Sequence, residues 1–186
     1  MVKSFTVTLD TNIFPIDDLL VLMRQKSINY KRVSVTDREM ANCRILDCLD
    51  NESKINETGI WNESLWGEFK WGPVIDETAV VGESKIDLCV VGKNSEIDVF
   101  ETLLKIISNN TFPRNDKREH LTPGERRQLR DAMILTAHIR DKRDLFITND
   151  LKGFVSNGKR DYIQETFKTK IMTREEFKSY LEQAIL

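Results

Sequence analysis

Three consecutive apolar residues, Leu145, Phe146 and Ile147, stand in "DKRDLFITND" with charged or polar neighbours on either side. A strand with no polar face has to be covered above and below, which points to the interior of a parallel sheet. Directly before it runs "TPGERRQLRDAMILTAHIRDK", opening on Thr122 as an N-cap, with Pro123 at the first helical position and Glu125 closing a capping box. A helix that feeds a doubly buried strand is half of a βαβ unit.

The same alternation covers most of the chain. In "SFTVTLD" Phe5, Val7 and Leu9 alternate as a first strand, and "IDDLLVLMRQK" sets Ile16, Leu19, Leu20 and Met23 on one helical face. "KRVSVT" reads as a second strand. "TDREMANCRILDCLD" reads as a helix with Thr36 at its cap and Glu39 three residues on. "KIDLCVV" is expected as a third strand, followed by a helix in "SEIDVFETLLKIIS". After "LFIT" come a modest helix in "GKRDYIQETF", a short strand "KIM", and a last helix capped by Thr173 and Glu176. The exception is the segment at about 51–84, rich in Asn, Glu and Gly, with Trp61, Trp66 and Trp71 spaced five apart. That spacing suits neither a helix face nor a strand face, so an irregular acidic insertion is expected there. The reading is one α/β domain over 1–186, a parallel sheet of about five strands with helices on both faces.

Composition limits the function classes. With 31% charged residues and a net charge of -2, the chain carries no general basic coat for nucleic acid. Charge is uneven, however: acids dominate Asp47–Glu101, and bases cluster at Arg126-Arg127, Arg140-Lys142-Arg143 and Lys159-Arg160. Those clusters fit either a solvated face or a surface for an anionic polymer. Cys43, Cys48 and Cys89 form no CxxC pair, no signal peptide is evident, and no apolar run spans a bilayer. The expectation is a cytoplasmic protein with reduced thiols and no membrane contact.

In an open parallel sheet, ligands bind beyond the carboxyl ends of the strands, where strand order reverses. Asp10 follows the first strand there, in "TLDTNIF", and Asp150 follows the fourth. Glu39 lies one turn into the helix after the second strand, and Asp131 lies inside the apolar stretch "DAMILTAH". Each has an ordinary explanation: Asp10 and Asp150 as turn caps, Glu39 as the arm of a capping box, Asp131 as a partner of Arg127. Together they are harder to explain. At about 5 Å and an effective dielectric near 20, each like-charged pair repels by roughly 3 kcal/mol. A cluster of four must share protons, stay apart or hold cations. Oxygen ligands select Mg²⁺ or Mn²⁺, and with only His120 and His138 a zinc site is not expected.

Asp-Thr-Asn after a first strand, a Glu after the second, "DAMILTAH" and "LFITND" resemble the PIN domain, a metal-dependent nuclease fold. The resemblance implies strand order 3-2-1-4-5 and Asp10, Glu39, Asp131 and Asp150 as catalytic ligands of one or two ions. It also implies that Thr148 and Asn12 orient those acids. The insertion at 51–84 departs from the compact family core. The expected activity is a Mg²⁺/Mn²⁺-dependent endoribonuclease, with metal-activated water attacking the phosphodiester and leaving 5′-phosphate and 3′-hydroxyl ends. Arg126, Arg127, Arg130, Lys142, Arg143 and Lys152 are the candidates to grip RNA phosphates. Many PIN nucleases are toxins silenced by an antitoxin, and many are homodimers, so both partners enter as expectations. A non-catalytic module binding RNA or protein is the alternative. An aspartyl-phosphate phosphatase would require a second Asp where this chain has Asn12.

Overall fold

The computed structural model describes residues 5–26, 28–33, 74–75, 77–78, 89–90 and 93–183. The helix expected over 36–50, with Glu39, and the stretch carrying Trp61, Trp66 and Trp71 lie outside the described residues. The described strands are β1 (Thr6–Leu9), β2 (Asn29–Val33), β3 (Val74–Ile75), β4 (Glu77–Thr78), β5 (Cys89–Val90), β6 (Leu145–Ile147) and β7 (Ile171–Met172). The described α-helices are α1 (Asp17–Gln25), α2 (Asn94–Ile107), α3 (Pro123–Arg140), α4 (Lys159–Phe167) and α5 (Arg174–Gln183).

The main sheet runs in the order β3-β2-β1-β6-β7, and every pair in it is parallel. The chain is therefore α/β, with β1 and β6 side by side although more than 130 residues separate them. One expectation is corrected. Of the segment expected as the third strand, the described residues Cys89–Val90 pair with β4 in a separate two-stranded sheet. The place beside β2 is taken by Val74–Ile75, inside the segment expected to be irregular. Two residues are too short a run to carry a period-2 pattern, and their pairing is set by β2 rather than by their own sequence.

Alternation along the strands sorts the core into two layers. Val7, Leu9, Leu145 and Ile147 face one way and pack with Ile16, Leu19 and Met23 by α1 and with Phe177 and Leu181 of α5. Phe146 faces the other way, into Phe100, Leu103 and Leu104 of α2, Met133 and Ile134 of α3, Phe154, and Ile163 of α4. The Phe146 and Phe154 rings meet edge to face with centroids 5.3 Å apart, a favoured aromatic geometry. Helices thus cover both faces, as the continuous apolar run in β6 requires.

Local signals explain where the helices start. Thr122 Oγ1 accepts a hydrogen bond from the Glu125 amide at 3.3 Å, and Glu125 accepts one from the Thr122 amide at 2.7 Å. The box is closed, and it holds the Glu125 carboxyl below its usual pKa through the Thr122 hydrogen bonds. Thr173 and Glu176 repeat the arrangement before α5, at 3.2 and 2.8 Å. Gly158 stands before α4 at φ +74°, a left-handed conformation that glycine adopts without a side-chain clash. Among the described residues no helix is long and apolar enough to cross a membrane.

Candidate active site at the carboxyl end of the sheet

Leu9 and Ile147 are in register, so β1 and β6 end level with one another. The next amide, that of Asp10, still donates to the Ile147 carbonyl at 3.0 Å. This carries the Asp10 side chain to the top of the sheet, where it is buried to 1% exposure. Its Oδ1 accepts from the Thr11 amide at 2.7 Å. Its Oδ2 accepts from the Thr148 hydroxyl at 2.6 Å and from the Asn12 amide group at 3.0 Å. The turn-cap reading of Asp10 is therefore correct as far as it goes, since the short 3-10 turn Thr11–Ile13 begins on it. A cap on the surface would not need two further donors or full burial.

Thr148 links the two strand-end acids. Its Oγ1 also accepts from the Asp150 amide at 3.0 Å, so that amide lies within two hydrogen-bond lengths of the Asp10 carboxylate. Asp150 itself bends back over the π-turn Leu151–Val155, and its Oδ1 accepts from the amides of Lys152 (3.1 Å) and Gly153 (2.9 Å). Among the described residues no donor reaches its Oδ2. The close fold of the turn depends on Gly153, where a Cβ would stand 2.4 Å from Asp150 Oδ2.

Asn12 ties the same loops from outside: its Oδ1 accepts from the Asn149 amide at 2.7 Å. Arg174, at the start of α5, was not among the expected site residues. Its amide donates to Asn149 Oδ1 at 3.2 Å, and its guanidinium donates to the carbonyls of Ile13 and Pro15 and pairs with Asp18. Nothing local in "MTREEF" signals this role, because every partner is distant along the chain.

Asp131 is buried on α3 at 7% exposure, inside a run of buried residues from Asp131 to His138. A helix packed on a parallel sheet as the crossover between two strands runs opposite to them, so the first half of α3 lies toward the carboxyl ends. Asp131 stands at the midpoint of α3, where that half of the helix ends. Among the described residues no three Asp, Glu, His or Cys side chains come together closely enough to hold a metal ion. Glu39 lies outside the described residues. The Asp10 carboxylate and the Asp150 main chain are joined through Thr148, and the oxygen donors of these two acids are of the kind a hard dication takes.

The basic candidates divide between the two ends of the sheet. Arg126, Arg127 and Arg130 lie in the first half of α3, and Lys152 is exposed in the turn after Asp150. Lys142 and Arg143 follow α3, an 18-residue helix about 27 Å long, and enter β6 from its amino end. Arg143 is also buried. Its Nε donates to Thr8 Oγ1 at 3.0 Å and its Nη2 to the Val7 carbonyl at 2.6 Å. The assignment of Arg143 to RNA is corrected: its charge is spent inside the protein, on β1. Lys142 is exposed but follows α3 at the amino end of β6, a helix length away from Arg126 and Arg127.

His138 belongs to the same amino-end network. Nδ1 meets Thr8 Oγ1 at 2.9 Å and Nε2 meets Thr169 Oγ1 at 2.6 Å. Burial, then the Arg143 charge, push its pKa down to about 3, so it is neutral at pH 7 and takes no part in the acidic end.

Comparison with protein-family models, with curated proteins and with solved structures finds no match to this chain.

Proposed function

We propose that the carboxyl end of the sheet is the active site of a Mg²⁺- or Mn²⁺-dependent endoribonuclease. The observation that carries this reading is the single hydroxyl of Thr148, which donates to Asp10 and accepts from the Asp150 amide. It ties the Asp10 carboxylate at the end of β1 to the main chain of Asp150 after β6, which supports reading the two acids as one site. The strand order β3-β2-β1-β6-β7 supports the PIN resemblance, in which strands one and four of the sheet are neighbours.

In this reading Asp10 and Asp150, with Glu39, hold the ion, and Thr148 and Asn12 keep the Asp10 carboxylate turned toward it. Asp131, which closes no group of three with them among the described residues, adds its charge from α3. When bound, a hard dication supplies Lewis-acid polarisation of a phosphodiester and of the attacking water. Asp150 Oδ2 is the oxygen best placed to reach it, because Oδ1 is engaged by two amides. Lys152 and the arginines of the first half of α3 supply sequence-independent attraction for RNA phosphates.

The test is cleavage of an unstructured RNA by purified protein in Mg²⁺ or Mn²⁺, compared with Asp10→Asn and with excess chelator. Cleavage that leaves 5′-phosphate ends, lost in both comparisons while the variant stays folded, is the expected result. Equal cleavage by Asp10→Asn refutes it. A second reading, a module that binds RNA or protein without cutting, is favoured by the hydrogen bonds that Asp10 already accepts from Thr11, Asn12 and Thr148. RNA binding with no cleavage in any divalent ion would select it.

A further inference from the structure

In the sequence Lys159 forms a basic pair with Arg160, yet it is buried, at 6% exposure. Its Nζ donates to the Ile107 carbonyl at 2.7 Å and to the Lys152 carbonyl at 2.9 Å. Ile107 ends α2, so one of these acceptors lies at the negative end of a 14-residue helix. The other is in the π-turn that begins on Asp150. Lys152 therefore donates its amide to the Asp150 carboxylate and gives its carbonyl to Lys159. One peptide segment stands between the buried ammonium and the acid.

We propose that Lys159 is a positioning residue for Asp150: clamped between α2 and the π-turn, its ammonium fixes the two amides that aim the Asp150 carboxylate. The inference rests on the reading of Asp150 as a metal-site acid and adds a residue that the family resemblance does not supply. Gly153 is the complementary half of the device. It gives the carboxylate room to lie over the turn, and its amide is one of the two that Asp150 accepts. Burial pushes the Lys159 pKa down, and the nearby Asp150 charge pushes it back up.

Charge and geometry act in opposite directions here, and this makes the role measurable. Removing a cation near a metal site by itself tightens dication binding. Releasing the turn that aims a ligand weakens it. The experiment compares the full-length protein with Lys159→Met and with Ile163→Ala, a buried change one turn further along α4 that removes packing but no hydrogen bond. Amide hydrogen exchange at Lys152 and Gly153, and the Mn²⁺ dissociation constant, are measured on each. The expected result for Lys159→Met is exchange at least tenfold faster at those two amides and Mn²⁺ binding at least fivefold weaker. Ile163→Ala, at a comparable loss in Tm, should change neither beyond its global effect. If Lys159→Met does not fold, Lys159→Gln, whose uncharged NH2 group has a shorter reach, carries the same two measurements with the same expected direction.

Unchanged exchange at Lys152 and Gly153, or Mn²⁺ binding that is unchanged or tighter, overturns the positioning role and leaves the metal site standing. A wild-type protein that takes up no Mn²⁺ removes the metal site itself, and this inference with it.

Discussion

The Thr148 hydroxyl lies 2.6 Å from Asp10 Oδ2 and donates to it, across a gap of 138 residues in the chain. Because the same oxygen accepts from the Asp150 amide, its removal leaves a buried carboxylate short of a donor and a main-chain N–H short of an acceptor. Thr148→Val should therefore cost about 2–3 kcal/mol in stability, and Thr148→Ser no more than about 1 kcal/mol. Urea unfolding of the two variants measures the difference. RNA cleavage should fall at least tenfold in the valine variant and survive in the serine variant.

Gly153→Ala tests the other acid. A methyl group 2.4 Å from Asp150 Oδ2 forces the carboxylate off its turn. The expected outcome is a loss of Mn²⁺ affinity and of cleavage by at least tenfold, larger than the loss in Tm would explain. Mn²⁺ titration of the folded variant decides it, and an alanine variant with wild-type affinity would contradict the geometry.

His138 makes the protein acid-sensitive. Its pKa is near 3 when folded and near 6.5 in the unfolded chain, so between those values the unfolded state binds the additional proton. Its contribution is fully present above about pH 6.5 and declines as pH falls toward 3, by on the order of 5 kcal/mol in total. Unfolding free energy measured across pH 3–8 should show this slope. His138→Gln should flatten it while lowering stability at pH 7, because the buried Thr8 hydroxyl and the half-buried Thr169 hydroxyl lose ideal partners.

Arg127 and Arg143 should behave as opposites. Arg127 is exposed, and Arg127→Gln is expected to weaken RNA binding and reduce its salt dependence by about 0.7 in log–log slope. Stability should stay within about 0.5 kcal/mol of wild type. Arg143→Gln should destabilise by about 2–4 kcal/mol, because it unmakes two buried hydrogen bonds, and leave RNA affinity intact wherever the protein is folded. Filter binding over a salt series and urea unfolding separate the two.

The contrast between these arginines explains what was legible in the sequence. Helix starts at Thr122 and Thr173 could be read directly, because each cap and its partner lie three residues apart. The doubly buried strand announced itself in Leu145–Ile147, and the acids after β1 and β6 followed from it. Arg143 and Lys159 could not be sorted from exposed bases, because their acceptors, Val7 and Ile107, are 136 and 52 residues away. The pairing of Val74–Ile75 with β2 is likewise a long-range event without a local pattern. Asp10 lies between these cases: its place in the chain was visible, but the hydroxyl that meets it was only implied by resemblance.

The match of Leu9 with Ile147 also acts as a ruler. Side chains change faces at every step of a strand, so one residue inserted between Val7 and Leu9 could not be absorbed by sliding. Either the two oily positions would turn toward the wrong helices, or the acid behind them would overshoot its hydroxyl. Fold and chemistry are thus metered by one spacing, and lengthening β1 by a single residue should cost the protein both at once.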